Sequence, residues 1–199
     1  RKDVLSLLPK EAQLTSVLEL GCGEGYTLEY MKNDLGAQKT TGVEINADAA
    51  RSAGERVDVV LNQSAEDLLD LPEQEFDLVL CLDVLEHLYN PWKVLENLKK
   101  HIKPGGLLLA SIPNVQHWSV VKMLLGGRWD YKKAGLMDET HMRFFTAKTT
   151  KTLFTNAGLN ICRLEGQMGK DVKVLDLITL RLFHGFFSYQ YFVLAEKAD

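Results

Sequence analysis

Val17-Leu18-Glu19-Leu20-Gly21-Cys22-Gly23-Glu24-Gly25 is the stretch that decides the fold. An apolar strand, Ser16 to Leu20, stops at three glycines set at every second position. Tyr26 to Leu35 then carries Leu28, Met31 and Leu35 at helical spacing, with Gly36 where a C-terminal glycine belongs. Strand, glycine turn and helix is the opening of an α/β unit.

Working outward, the alternation continues. Lys39 to Glu44 reads as a second strand ending in an acid, and Ala47 to Ala53 as a helix started by Asn46 or Asp48. Val57 to Leu61 is a third strand and Ala65 to Leu69 a short helical piece. Phe76 to Leu82 (FDLVLCL) is so continuously apolar that it belongs in the middle of a sheet, buried on both faces. Pro91 opens a helix running to His101, and Lys103-Pro104-Gly105-Gly106 separates it from a fifth strand, Leu107 to Ile112. Residues 115–145 are aromatic and glycine-rich, too long for a plain connection, and read as an inserted cap. Thr146 then caps a helix through Asn156, and Leu159 to Glu165 and Ser188 to Glu196 are the last strands. The expectation is one domain over residues 1–199: a doubly wound α/β fold with a mostly parallel sheet, helices on both faces, and ligands at the carboxyl ends of the strands.

The 199 residues carry 23 Lys and Arg against 27 Asp and Glu, a net charge of −4, so no global basic field exists to hold nucleic acid as a bulk partner. With 46% hydrophobic and 25% charged residues the chain is of ordinary globular composition, which excludes a disordered or fibrous protein. Cys22, Cys81 and Cys162 lie far apart in apolar surroundings without paired spacing, which argues against a zinc site or disulfide framework and for a reducing, cytoplasmic setting. No apolar run reaches the ~18 residues of a spanning helix. The apolar stretch Val174 to Phe187 reads as a core or dimer-contact helix, with contact to lipid as the alternative.

The glycine spacing is G-x-G-x-G, neither the G-x-G-x-x-G of dinucleotide folds nor a phosphate loop ending in Lys-Ser/Thr. Glu19 precedes the turn and Glu24 lies inside it, with no Lys or Arg nearby to neutralise a pyrophosphate. A ligand bearing an ammonium or sulfonium group suits this turn better. Glu44, 19 residues after Gly25, closes the second strand where an acid can accept both hydroxyls of a ribose.

Residues 17–25, Glu44 and residues 76–87 (FDLVLCLDVLEH) together resemble the class I S-adenosylmethionine-dependent methyltransferases, over most of the chain. The resemblance implies a seven-stranded sheet with an antiparallel last strand and S-adenosylmethionine as cofactor. Gly21, Cys22, Gly23 and Gly25 would let the backbone pass its methionine part, with Tyr26 opening the following helix and Glu19 near the ammonium. Glu44 and Ile45 would hold the ribose side, and Ser64, Ala65 and Glu66 the adenine side, with Glu66 or Asp67 at the exocyclic amine. Leu82 and Asp83 would line the opposite wall.

Methyl transfer to a hydroxyl needs positioning and a base. His87, after the fourth strand, and His141, in the cap, are the candidates, with Asp138 as an orienter of His141 and Arg143 as a binder of an acidic acceptor. Asp83-x-x-Glu86-His87 also resembles the metal-binding acidic-histidine motif of some O-methyltransferases. A cation needs further ligands that the sequence does not place, so no metal site is assigned. Residues 111–115, 127–131 and 135–146 resemble methyltransferases of bacterial glycan and polysaccharide genes, which implies a sugar or other small polar acceptor, with Trp118, Trp129 and Tyr131 available to stack on it. The alternatives are O-methylation of a quinone or phenol precursor, favoured by the region of Asp83 to His87, and a non-catalytic partner domain.

Overall fold

The computed structural model describes residues 2–12, 14–67 and 71–198. In chain order the elements are α1 (Lys2–Leu5), β1 (Ser16–Leu20), α2 (Tyr26–Leu35), β2 (Lys39–Val43), α3 (Ala47–Ala53), β3 (Val59–Leu61), β4 (Phe76–Leu82), α4 (Pro91–Leu98) and β5 (Ile102–Pro113). They continue with α5 (Trp118–Leu125), α6 (Ala147–Asn156), β6 (Leu159–Gln167), α7 (Lys170–Ile178), α8 (His184–Phe187) and β7 (Gln190–Lys197). The strands form one seven-stranded sheet in the order β3-β2-β1-β4-β5-β7-β6. β1 to β5 pair in parallel, and β7 inserts antiparallel to both β5 and β6. The expected doubly wound sheet with an antiparallel last strand is the observed one.

Local chemistry sets the element ends. Gly25 and Gly36 sit in the left-handed region at the two ends of α2, where a side chain would be strained. The Asn46 side chain accepts from the Asp48 and Ala49 amides to start α3, and Thr146 with Thr149 forms a reciprocal capping box on α6. Pro91 occupies the first turn of α4, where its missing N–H costs nothing. β4, central in the sheet, has Leu78, Val79, Leu80 and Cys81 fully buried, and two separate core clusters cover the opposite faces of the sheet.

Three expectations need correction. The helix from Pro91 ends at Leu98, because Lys99 to His101 turn to feed β5, which begins already at Ile102. Lys103 to Gly106 lie within that strand, where the pairing with β4 shifts register. Ala65 and Glu66 form a turn, and the rest of the expected helical piece, through Leu69, extends outside the described residues. The Val174 to Phe187 stretch is not core: Val174, Leu177, Ile178, Leu180, Leu182 and Phe183 are all exposed. Among its described side chains Asp176 is the buried one, and it bonds the His184 ring.

Candidate functional site

Parallel pairing aligns the carboxyl ends of the strands. Leu20 of β1 pairs with Val43 of β2 and Cys81 of β4, and Leu82 pairs with Ser111 of β5. Gly21 to Gly25, Glu44 and Asp83 therefore emerge side by side along one edge of the sheet, where a ligand binds in this architecture.

Gly21 and Cys22 donate their amides to the Val43 carbonyl, which folds the turn back over β2. The Glu44 carboxylate locks it further, accepting from the Gly23 amide at 2.8 Å and from the Asn46 amide at 2.8 Å. Each carboxylate oxygen keeps a second lone pair for a ligand hydroxyl. A Cβ on Gly23 would meet nothing within 4 Å, so the space above it is open to a ligand, whereas one on Gly25 would strike Val57 Cγ2 at 2.7 Å. The glycines thus have different reasons: Gly23 leaves the approach free, and Gly25 permits packing on α3 and its exit.

Glu19 is buried beneath this turn. Burial pushes its carboxyl up to about 8, only partly offset by a hydrogen bond from Thr27. Its Oε2 has no hydrogen-bond partner among the described residues. Burial and the nearby Glu19 and Glu44 charges likewise push the Cys22 thiol up to about 12, so it is no nucleophile.

The other sequence-predicted residues fall as follows. Ile45 is 73% exposed beside Glu44, an apolar surface next to the turn. Tyr26 stands on the outer side of α2 with the Arg56 guanidinium 4.5 Å from its ring centroid. Ser64 Oγ accepts from the Glu66 amide, while Glu66 Oε1 accepts from the Asn90 amide at 2.7 Å and ties this turn to α4; Ala65 packs against the core. Leu82 is part-buried against the second core cluster. Asp83 holds φ +54°, a strained value for a non-glycine residue. Ser111 clamps it: the Asp83 amide donates to Ser111 Oγ at 3.0 Å, and that hydroxyl donates to Asp83 Oδ1 at 2.7 Å.

The chain after Asp83 makes one short turn, Leu85–His87, and the end of the cap docks on it. Met142 and Arg143 donate their amides to the Glu86 carbonyl at 2.9 and 3.0 Å. This places the His141 ring against the His87 ring, with centroids 4.7 Å apart, and its Nε2 4.0 Å from buried Glu86 Oε1. Ligand atoms of Glu86, His87 and His141 lie within 4.8 Å of one another, an arrangement that could hold a cation. The sequence could not place that third ligand. These residues, with Asp83, Leu136, Asp138 and Tyr189, line a cavity of about 330 Å³.

The tautomer of His87 follows from its partners. Its Nδ1 lies 3.3 Å from the Thr140 carbonyl, which only accepts, and 3.0 Å from Thr140 Oγ1, whose proton goes to Asp138 Oδ1 at 2.6 Å. Nδ1 must carry the hydrogen, and Nε2 presents its lone pair. Asp138 therefore orients His87 through Thr140, rather than His141 as expected. These hydrogen bonds from Thr140 also hold the Asp138 carboxyl below its usual range. Burial, then the neighbouring His87, lowers the His141 imidazole, keeping it neutral and able to accept a proton. Arg143 does not reach the cavity. It donates Nε to the Tyr89 carbonyl at 3.1 Å and lies over the Tyr89 and Trp92 rings, so it fastens the cap. Thr140 and Ser111 escaped the sequence reading because a hydroxyl gains a role only from partners distant in sequence. Gly42 was also missed, although a glycine inside a strand signals close approach: a Cβ there would lie 2.5 Å from Cys22 Sγ.

Residues 1–164 match the family model described as a methyltransferase domain. The chain is 31% identical over 134 residues to a ubiquinone biosynthesis O-methyltransferase of Shewanella halifaxensis, covering 64% of this chain and 56% of that one. It is 25% identical over 166 residues to a mitochondrial ubiquinone biosynthesis O-methyltransferase of Dictyostelium discoideum, covering 76% and 51%. The chain thus spans about half the length of these curated relatives. A SAM-dependent methyltransferase from Archaeoglobus fulgidus has the same fold, with a TM-score of 0.73 at 20% identity over 98% of this chain and 92% of that one.

Proposed function

The chain belongs to the methyltransferase-domain family, and on that premise we propose that it transfers a methyl group from S-adenosylmethionine to a hydroxyl oxygen of a small phenolic acceptor of the quinone-precursor type. The observation that carries this reading is the His87, His141 and Glu86 cluster in a cavity bordered by Asp83, at the same sheet edge as the open glycine turn. The curated relatives, named as ubiquinone biosynthesis O-methyltransferases, support a quinone-precursor acceptor over the sugar or glycan that the cap sequence suggested.

The open turn at Gly23 would hold S-adenosylmethionine, which would supply a methyl group on a sulfonium able to leave as a neutral thioether. The residues around it divide the remaining work. Glu19 would face the ammonium, Glu44 would accept the ribose hydroxyls while keeping its bonds to Gly23 and Asn46, and Ile45 would lie beside them on the ribose side. The His87 Nε2 lone pair takes the acceptor's hydroxyl proton, and the ring's Nδ1–H stays fixed by Thr140. His141 shields the same cavity and provides a second acceptor for that proton. A divalent cation on Glu86, His87 and His141 would instead lower the hydroxyl's pKa directly. Three free cysteines suit a reducing compartment such as the cytoplasm, and no helix among the described residues is long and apolar enough to cross a membrane.

The test is S-adenosylhomocysteine release with catechols, other phenols and nucleotide sugars as acceptors, with and without chelator and added Mg²⁺, Mn²⁺ or Zn²⁺. Turnover of phenols that is lost in both His87→Ala and His141→Ala, with cofactor affinity retained, is the expected result. Turnover confined to sugars, or unaffected by both substitutions, would refute the assignment. Loss to chelator with rescue by one metal would select the cation over the histidine base.

A further inference from the structure

The α7 region is apolar on the wrong side for a solvated helix. Val174, Leu177 and Ile178, at helical spacing, face outward at 61%, 67% and 72% exposure, while Asp176 is buried and bonded to the His184 ring at 2.9 Å. The following turn continues the pattern: Leu180 and Leu182 are 83% and 80% exposed, and Phe183 is exposed beside them. Leu180 and Arg181 both hold left-handed φ values, 52° and 61°, a strained turn that keeps these side chains at the surface.

A second segment, distant in sequence, does the same. In α5 only Val120 is buried, while Trp118, Leu124 and Leu125 are exposed, Leu125 by 85%. The two segments meet at their roots. Asn114 Nδ2 donates to the Gly185 and Ser188 carbonyls, each at 2.7 Å, and the His117 ring contacts the Tyr189 ring. Pro113 and Tyr189, at those roots, line the acceptor cavity.

Charge identifies the occupant. Residues 118–125 and 170–187 together contain four Lys and Arg against two Asp, a net +2 in a chain whose total is −4, and one of those acids, Asp176, is buried and bonded to His184. The cations interleave with apolar residues, as in Val121-Lys122-Met123, Val172-Lys173-Val174 and Leu180-Arg181-Leu182. A second copy would bring the same positive surface to itself, and like charges facing each other across such a contact disfavour it. Exposed leucines and aromatics set among lysines and arginines match an anionic lipid surface, where apolar side chains enter the acyl boundary and the cations meet headgroups.

We infer that α5 and the α7–α8 segment form a docking surface for an anionic lipid bilayer beside the acceptor cavity, so that the enzyme works at a membrane surface. Its test reads binding rather than turnover and so stands apart from the methyl-transfer assignment. The purified protein is floated with phosphatidylcholine vesicles and with phosphatidylcholine vesicles containing phosphatidylglycerol. The expected result is selective binding to the anionic vesicles. Lys122→Glu and Arg181→Glu should each weaken it at least about fivefold, and Leu177→Asp with Leu180→Asp should abolish it. Both leucines are exposed, and aspartate tolerates the left-handed backbone at residue 180, so these variants should keep their fold, as circular dichroism would verify. Absence of binding by the folded wild-type protein would overturn the inference, as would binding indifferent to the leucine substitutions. Self-association in light scattering that the same substitutions relieve would overturn it too, by giving the face to a second copy.

Discussion

Titration of Glu19 offers a direct reading of the cofactor site. With its carboxyl pushed up to about 8 by burial, the free protein at pH 7 holds it protonated in about nine molecules of ten. An ammonium beside it favours the carboxylate, so S-adenosylmethionine binding should release about 0.9 proton at pH 7. The sign is fixed: protons compete with the cationic ligand, so affinity rises with pH until the carboxyl is ionised in the free protein. Between about pH 5.5 and pH 6.5, below the range in which the ligand's own α-amino group titrates, the gain is about tenfold, or about 1.4 kcal/mol. Calorimetric titration in buffers of differing ionisation enthalpy counts the released proton, and a pH series gives the slope. Glu19→Gln should bind with no linked proton and a flat pH dependence over that interval. A wild-type protein with neither proton release nor a pH slope would refute the placement of the ammonium at Glu19.

Three further outcomes follow from other contacts. Gly42→Ala puts a Cβ about 2.5 Å from Cys22 Sγ and should destabilise by about 1–3 kcal/mol, lowering the melting temperature by roughly 2–12 °C; an unchanged melting curve would show that Cys22 shifts freely. Thr140→Val removes the hydroxyl partner of His87 Nδ1 and that hydroxyl's bond to Asp138, while the backbone contacts of residue 140 remain; turnover should fall about tenfold to a hundredfold with unchanged cofactor affinity, and Thr140→Ser should restore it. Arg143→Ala should lower thermal stability through the lost Tyr89 carbonyl bond and ring packing, leaving KM for the acceptor within about twofold. A large rise in KM without a stability change would return Arg143 to the acceptor site.

Most of the fold was legible in the sequence because its signals are local. The switch from apolar strand to glycine turn to helix at residues 16–35, the caps at Asn46 and Thr146, and the buried FDLVLCL strand each depend on a few adjacent residues. The alignment of the glycine turn, Glu44 and Asp83 along one sheet edge was legible for the same reason, since a parallel sheet brings the ends of β1, β2 and β4 into one row whatever the details of packing. What the tertiary structure decided lies in contacts more than fifty residues apart. Met142 and Arg143 dock on the Glu86 carbonyl, which joins His141 to Glu86 and His87, transfers the Asp138 link to His87 through Thr140, and removes Arg143 from the cavity. The apolar character of residues 174–187 was plain in the sequence, yet its direction was not. Hydrophobicity states that a surface seeks a partner, and the burial of Asp176, held by the half-exposed His184 ring, turned that surface away from the core.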